Sequence, residues 1–107
     1  SMLRVVILCA MGMSSSVIVN AVRKSAAARD MEIDIHCQPS LNFKDQDFNA
    51  VDVVLLAPQI RGQAADIREY LKGYSVAIGE IGMYEYALAK GDVVLDNILK
   101  LAEQKQG

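Results

Sequence analysis

Cys9 opens a run of small and hydroxylated residues: Ala10, Met11, Gly12, Met13 and the serines Ser14, Ser15 and Ser16. Gly12 permits a positive φ and a close backbone approach to a ligand. The serines are residues that cap helices, and the apolar periodicity that follows them predicts a helix whose free N–H groups point back at the loop. Such an N-terminus favours negative charge through its dipole and its N–H donors, and it favours a thiolate over a thiol. The pattern describes an anion cradle with a nucleophile at its rim. A buried structural cysteine is the plainer reading of Cys9, since cysteine is a common core residue.

An anion cradle beside a thiolate fits phosphoryl chemistry through a covalent phosphocysteine. A cysteine phosphatase with the pattern C-x5-R-[ST] places an arginine six residues after the thiol to clamp the phosphate. Ser15 occupies that place here, so hydrolysis loses its main support. A loop remains that accepts a phosphoryl group, holds it with N–H and hydroxyl donors, and passes it on. A cysteine-dependent phosphatase and a non-catalytic binding module on the same scaffold stay open as alternatives. No G-x-x-x-x-G-K-[ST] sequence occurs and no G-x-G-x-x-G follows the first strand, so neither a nucleotide P-loop nor a dinucleotide cofactor is expected.

The elements that must position this loop follow from periodicity. LRVVIL (residues 3–8) is β-branched and continuous, with apolar residues throughout 5–8, and is read as a strand covered on both faces. Residues 14–29 carry Val17, Ile18, Ala21, Val22 and Ala26 at helical spacing, with Arg23, Lys24 and Arg29 on the wet side. Residues 32–37 alternate: Ile33, Ile35 and Cys37 face one way and Glu32, Asp34 and His36 the other, as in an edge strand. Residues 51–57 form a second continuous apolar strand, stopped by Pro58. A helix is expected over 62–73, with Ile67, Tyr70 and Leu71 as its apolar stripe, and a short strand over 74–78 ending at Gly79. A last helix over 91–104, with Val94, Leu95, Ile98, Leu99 and Leu101 inward, takes Asp92 as its N-cap.

Strands alternating with helices imply an α/β fold with parallel pairing through right-handed crossovers. The two continuous strands belong in the centre, giving an open four-stranded sheet of order 2-1-3-4 with helices on both faces. Ligands of such sheets bind beyond the carboxyl ends of the strands, where the winding reverses. That point lies between the first and third strands, at the Cys9 loop. Gln59 and Arg61, just after the third strand, are possible neighbours of the phosphoryl group or of a partner.

The run CAMGMSSS (residues 9–16), entered from VVIL, resembles the phosphorylation loop C-x-x-G-M-S-[ST]-S of the enzyme IIB component of the phosphoenolpyruvate-dependent sugar phosphotransferase system, lactose/cellobiose family. DVVLLAPQI (52–60) is similar to that family's third strand and turn. The resemblance extends over the whole chain in length and element order, and is looser in the C-terminal third. It implies a fold shared with low-molecular-weight tyrosine phosphatases. It also implies that Cys9 takes a phosphoryl group from a phosphohistidine of enzyme IIA and gives it to a sugar bound by the membrane permease IIC. Ala10 to Ser16 would hold the group. A β-linked disaccharide is the family's expected sugar class, and the permease chooses among them. A carrier without a cationic clamp binds its cargo only moderately, which keeps a relay moving.

Composition agrees with one phosphocarrier domain over the 107 residues, with Ser1 ahead of Met2 read as a cloning remnant. At 52% hydrophobic and 22% charged residues the chain is globular in type. A net charge of −2 argues against nucleic acid as the main partner. No apolar run reaches the roughly 18–20 residues of a membrane span, and no secretory signal is visible, so a cytoplasmic protein is expected, and the resemblance implies that it works beside a membrane permease. Cys9, Cys37 and a single histidine are too few to hold zinc, and the cysteines read as free thiols. Cys37 reads as core packing with nothing charged around it. His36 reads as a surface histidine rather than a base or carrier. Tyr84 and Tyr86, near the top of the fourth strand, are open to either a partner or packing.

Overall fold

A computed structural model describes residues 2–10 and 14–105, without the side chain of Ser14. Four parallel strands form one sheet in the order β2-β1-β3-β4: β1 (Leu3–Cys9), β2 (Ile33–Pro39), β3 (Val53–Leu56) and β4 (Ala77–Glu80). The two apolar strands are central because only there can both faces of a strand be covered. Val5, Val6, Ile7 and Leu8 are all at most 3% exposed. Burying each such side chain contributes about 1.5–3 kcal/mol.

Side chains alternate between two cores. Val5, Ile7, Cys9, Val53, Leu55 and Ile35 pack with helices α1 (Ser14–Ala28) and α4 (Gly91–Gln104). Val6, Leu8, Val54 and Leu56 pack on the other face with Phe43, Phe48 and helix α2 (Ala64–Leu71). On α1 the buried stripe is Ile18, Val22 and Ala26 at four-residue spacing, joined by Val19. Val17, expected inward, is exposed instead, because the stripe turns it toward the open carboxyl end of the sheet.

The α1–α4 contact is close at Gly91, where a Cβ would strike the backbone carbonyl of Ala21, 2.6 Å from its carbon. Arg29, read as solvent-facing, donates across this seam to Asp96 at 2.8 Å and to Asp92 at 3.4 Å. Asp92 therefore does not cap α4. Lys90 holds the N-cap position, and Asp92, in the first turn, is turned toward Ser25 and Arg29, which hold its carboxyl below the usual range.

Other boundaries move for local reasons. The helix expected at 62–73 is a 3-10 segment over Pro58–Gln63 followed by α2, with a break at Ile60. Pro58 starts that segment, while β3 already ends at Leu56. β4 runs through Gly79 rather than stopping there, because its pairing with β3 begins at Val53↔Ala77 and Leu101 packs over the bare glycine. Tyr74 instead closes a turn on Leu71 and stacks edge-on against Phe48. A 3-10 turn at Phe43–Asp45 and a short helix α3 (Met83–Ala87) complete the chain. Of the inward residues expected in α4, Val94, Leu95 and Ile98 are buried, while Leu99 and Leu101 are half-buried. No described helix is long and apolar enough to cross a membrane.

Candidate functional site

Hydrogen bonds that continue the ladder past the strand ends gather the carboxyl-end loops into one rim. The Ala57 N–H donates to Leu8 O, Ser40 N–H to Cys9 O and Ile81 N–H to Leu56 O, each at 2.9 Å. Cys9 is thereby fixed from both neighbouring strands at the end of β1. Ser40 is a positioning residue through its backbone N–H, a role that its side chain does not announce in the sequence.

The strand's alternation turns Cys9 toward α1, and Ile18 and Val19 pack in the same cluster. Cys9 is 5% exposed. Its Sγ is 3.7 Å from the carbonyl oxygen of Gln38. Ser15 is buried, Ala10 and Ser16 are exposed, and Met11, Gly12, Met13 and the Ser14 side chain lie outside the described residues. Helix α1 begins at Ser14, five residues after the thiol, and runs for 15 residues, so its N-terminal dipole faces the loop.

Cys37 is the residue whose surroundings differ most from expectation. Because β2 lies beside β1 with Ile7 opposite Cys37 and Cys9 opposite Pro39, both thiols point to the α1 face. Cys37 is half-buried against that core, its S–H donates to Ser15 O at 3.5 Å, and it shares its cluster with Cys9. A cation is also near: Arg23 donates to Ile35 O at 2.7 Å and its charge is felt at Cys37. Burial dominates and pushes the Cys37 thiol from its ordinary 9.0 up to about 11. Since the folded value exceeds the unfolded one, the stability gained is complete below pH 9 and is lost as pH rises toward 11. In a Cys9→Ser variant, thiolate absorbance is expected to titrate well above pH 9. A midpoint at 9 would show that burial does not govern this thiol.

Gln59 lines a shallow pocket of about 250 Å3 with Val17, Pro58, Met83, Tyr86 and Ala87. Arg61 is exposed two residues on, and among the described residues neither Gln59 nor Arg61 hydrogen-bonds to Cys9. Tyr84 and Tyr86 sit on α3, which follows the end of the fourth strand: Tyr86 is buried, and Tyr84 is exposed with Lys90 Nζ 5.3 Å from its ring centre. His36 is on the surface of β2, on the face away from the thiols, 3.7 Å from Asp34. A larger cleft lies at the other end of the sheet between Leu3, Asp30, Met31, Glu32, Leu99, Ala102 and Glu103. It is lined by the carboxylates Asp30, Glu32 and Glu103 together with apolar groups.

The family described as PTS system, Lactose/Cellobiose specific IIB subunit matches residues 4–97. Among curated proteins, the galactose-specific EIIB component of Lactococcus lactis subsp. cremoris is 28% identical over 91 residues, covering 81% of this chain and 84% of that protein. The oligo-beta-mannoside-specific EIIB component of Bacillus subtilis is 25% identical over 100 residues, covering 94% and 96%. Among solved structures, the cellobiose-specific IIB component from Borrelia burgdorferi superposes with a TM-score of 0.81 at 25% identity, over 100% of this chain and 97% of that one. The lactose-specific IIB domain from Streptococcus pneumoniae gives 0.83 at 22% identity, over 94% and 98%, a likeness of fold.

Proposed function

The chain belongs to the lactose/cellobiose-specific IIB family of the sugar phosphotransferase system, and from that premise we propose that Cys9 is its phosphoryl carrier. The Cys9 thiolate attacks the phosphorus of a phosphohistidine on enzyme IIA, the P–N bond breaks, and the imidazole leaves. In the second step a sugar hydroxyl held by the permease IIC attacks the phosphocysteine, and the thiolate is the leaving group. In-line transfer of this kind needs positioning and charge stabilisation more than it needs further covalent chemistry. Residues Ala10 to Ser16, at the N-terminus of α1, supply both, and the reaction takes place at the cytoplasmic face of the membrane.

One observation carries the reading: the nucleophile ends a central strand five residues before the start of a long helix, and the place of a phosphatase arginine is held by the buried Ser15. With no cation at that place, the intermediate is passed on instead of hydrolysed. The protein is therefore expected to gain a phosphoryl group from a matching phosphorylated IIA while leaving a simple aryl phosphate unhydrolysed. Steady aryl phosphate turnover that depends on Cys9 would support the phosphatase alternative.

The partner is expected to seat on the apolar surface beside the thiol. Val17, Met83, Tyr84 and Leu88 are each more than half exposed, and Val17 and Met83 share the pocket with Gln59. Replacing Met83 by glutamate is expected to slow transfer from IIA about tenfold at subsaturating donor, the scale of one well-placed interface contact. Stability should shift by only about 0.5 kcal/mol, because the side chain is exposed. An unchanged transfer rate would place the donor elsewhere. Relatives named for galactose and for oligo-beta-mannosides match this chain at 28% and 25% identity, so the overall likeness does not select a sugar, and that choice is assigned to the permease.

A further inference from the structure

We infer that Cys9 and Cys37 form a reversible redox site, closing to an intrachain disulfide that withdraws the nucleophile under hydroperoxide. The effect on transport rests on the carrier reading above, whereas the disulfide does not. The two thiols share one face of adjacent strands and pack in one cluster under α1. Each also points at a backbone carbonyl, Cys9 Sγ at Gln38 O (3.7 Å) and Cys37 Sγ at Ser15 O (3.5 Å). Cys9 thus reaches toward β2, the strand that carries Cys37, and Cys37 toward the start of α1.

Cys37 stands diagonally from Cys9, two residues before its partner Pro39. A diagonal of this kind separates Cα atoms by about 7–8 Å, just beyond a relaxed disulfide. Closure therefore needs a backbone shift of about 1 Å at the end of β1, where the ladder gives way to the loop. A bond closed in this way is readily reduced, as a switch requires and a structural cross-link does not.

The steps balance. The Cys9 thiolate attacks a hydroperoxide oxygen, the O–O bond breaks, and Cys9 becomes a sulfenic acid while the peroxide leaves as water or alcohol. The Cys37 sulfur then attacks the Cys9 sulfur, the S–O bond breaks, and the hydroxyl leaves with the Cys37 proton as water. A thiol reductant returns both sulfurs to thiols. Any motion that opens the 5%-exposed Cys9 to a phosphoryl donor also opens it to a small peroxide.

The test is the intact mass and peptide map of the full chain after hydrogen peroxide, read without reductant. Expected is the loss of two hydrogens and a cross-linked pair of peptides containing Cys9 and Cys37. After dithiothreitol, phosphoryl acceptance should recover in the wild type and stay about tenfold or more lower in Cys37→Ser, whose Cys9 proceeds to sulfinic and sulfonic acids. Cys37→Ser keeps a donor for the Ser15 carbonyl, and Cys37→Ala run beside it separates redox chemistry from that hydrogen bond. Added oxygen with no loss of hydrogen, equal in wild type and both variants, would overturn the proposal. A disulfide in a protein that, when reduced, accepts nothing from phosphorylated IIA would uphold the thiol pair and overturn the carrier reading.

Discussion

Replacing Cys9 by serine is expected to lower IIB-dependent sugar phosphorylation by on the order of 10^4-fold, the scale on which enzymes lose rate when a covalent nucleophile is removed. The hydroxyl is nearly the size of the thiol, Cys9 is 5% exposed, and its backbone carbonyl is held by Ser40. The fold should therefore survive, and the loss should be one of chemistry. A hydroxyl at neutral pH is a far weaker nucleophile than a thiol, which already carries some thiolate. The check is the rate of sugar phosphorylation by permease membranes given phosphorylated IIA and saturating IIB, with thermal unfolding measured on the same samples. A small loss of rate at unchanged stability would mean that the phosphoryl group travels by another residue.

The second large effect is on stability. Ile7 is fully buried, lies one step before Cys9 on the same face, and pairs with Leu55 on one side and Cys37 on the other. Ile7→Ala removes packing from the sheet centre, and the helices around it close the gap only in part. A cost of about 3–4 kcal/mol is expected, lowering Tm by about 15 °C in a domain of this size. Well below the new Tm, the folded variant should still accept a phosphoryl group, because no donor to the phosphoryl group is touched. Thermal unfolding and transfer at low temperature measure the two parts separately. A Tm shift of only a few degrees would contradict the tight central packing, and loss of transfer in folded protein would make Ile7 part of the site.

The chain shows unevenly what it becomes. The central strands are legible because residues 5–8 and 53–56 are apolar without interruption, and only a strand covered on both faces needs that. Alternation through Ile33, Ile35 and Cys37 marks the edge strand, and together these fix the order β2-β1-β3-β4. The place of Cys9 at the switch point follows from that order alone. Less legible are features that depend on a distant segment. β4 takes its start from pairing with β3, and Asp92 is drawn from its capping role by Arg29, 63 residues away. The Pro58–Gln63 and Phe43–Asp45 turns have no periodicity to betray them. The cysteine pair lay within reach of the sequence, because the strand order and the alternation together put Cys37 on the face of Cys9. Its bond to Ser15 and the approach of Arg23 depend on how α1 settles over the sheet.

The central claim is that a phosphoryl group rests on Cys9. Its most direct test is the intact mass and peptide map of the protein after incubation with phosphoenolpyruvate, the general phosphotransferase proteins and a matching IIA. The account predicts a gain of one phosphoryl group, mapped to the peptide containing Cys9 and absent when IIA is omitted. A protein that gains nothing from a competent donor, or that carries the group on His36 or any residue other than Cys9, would contradict it.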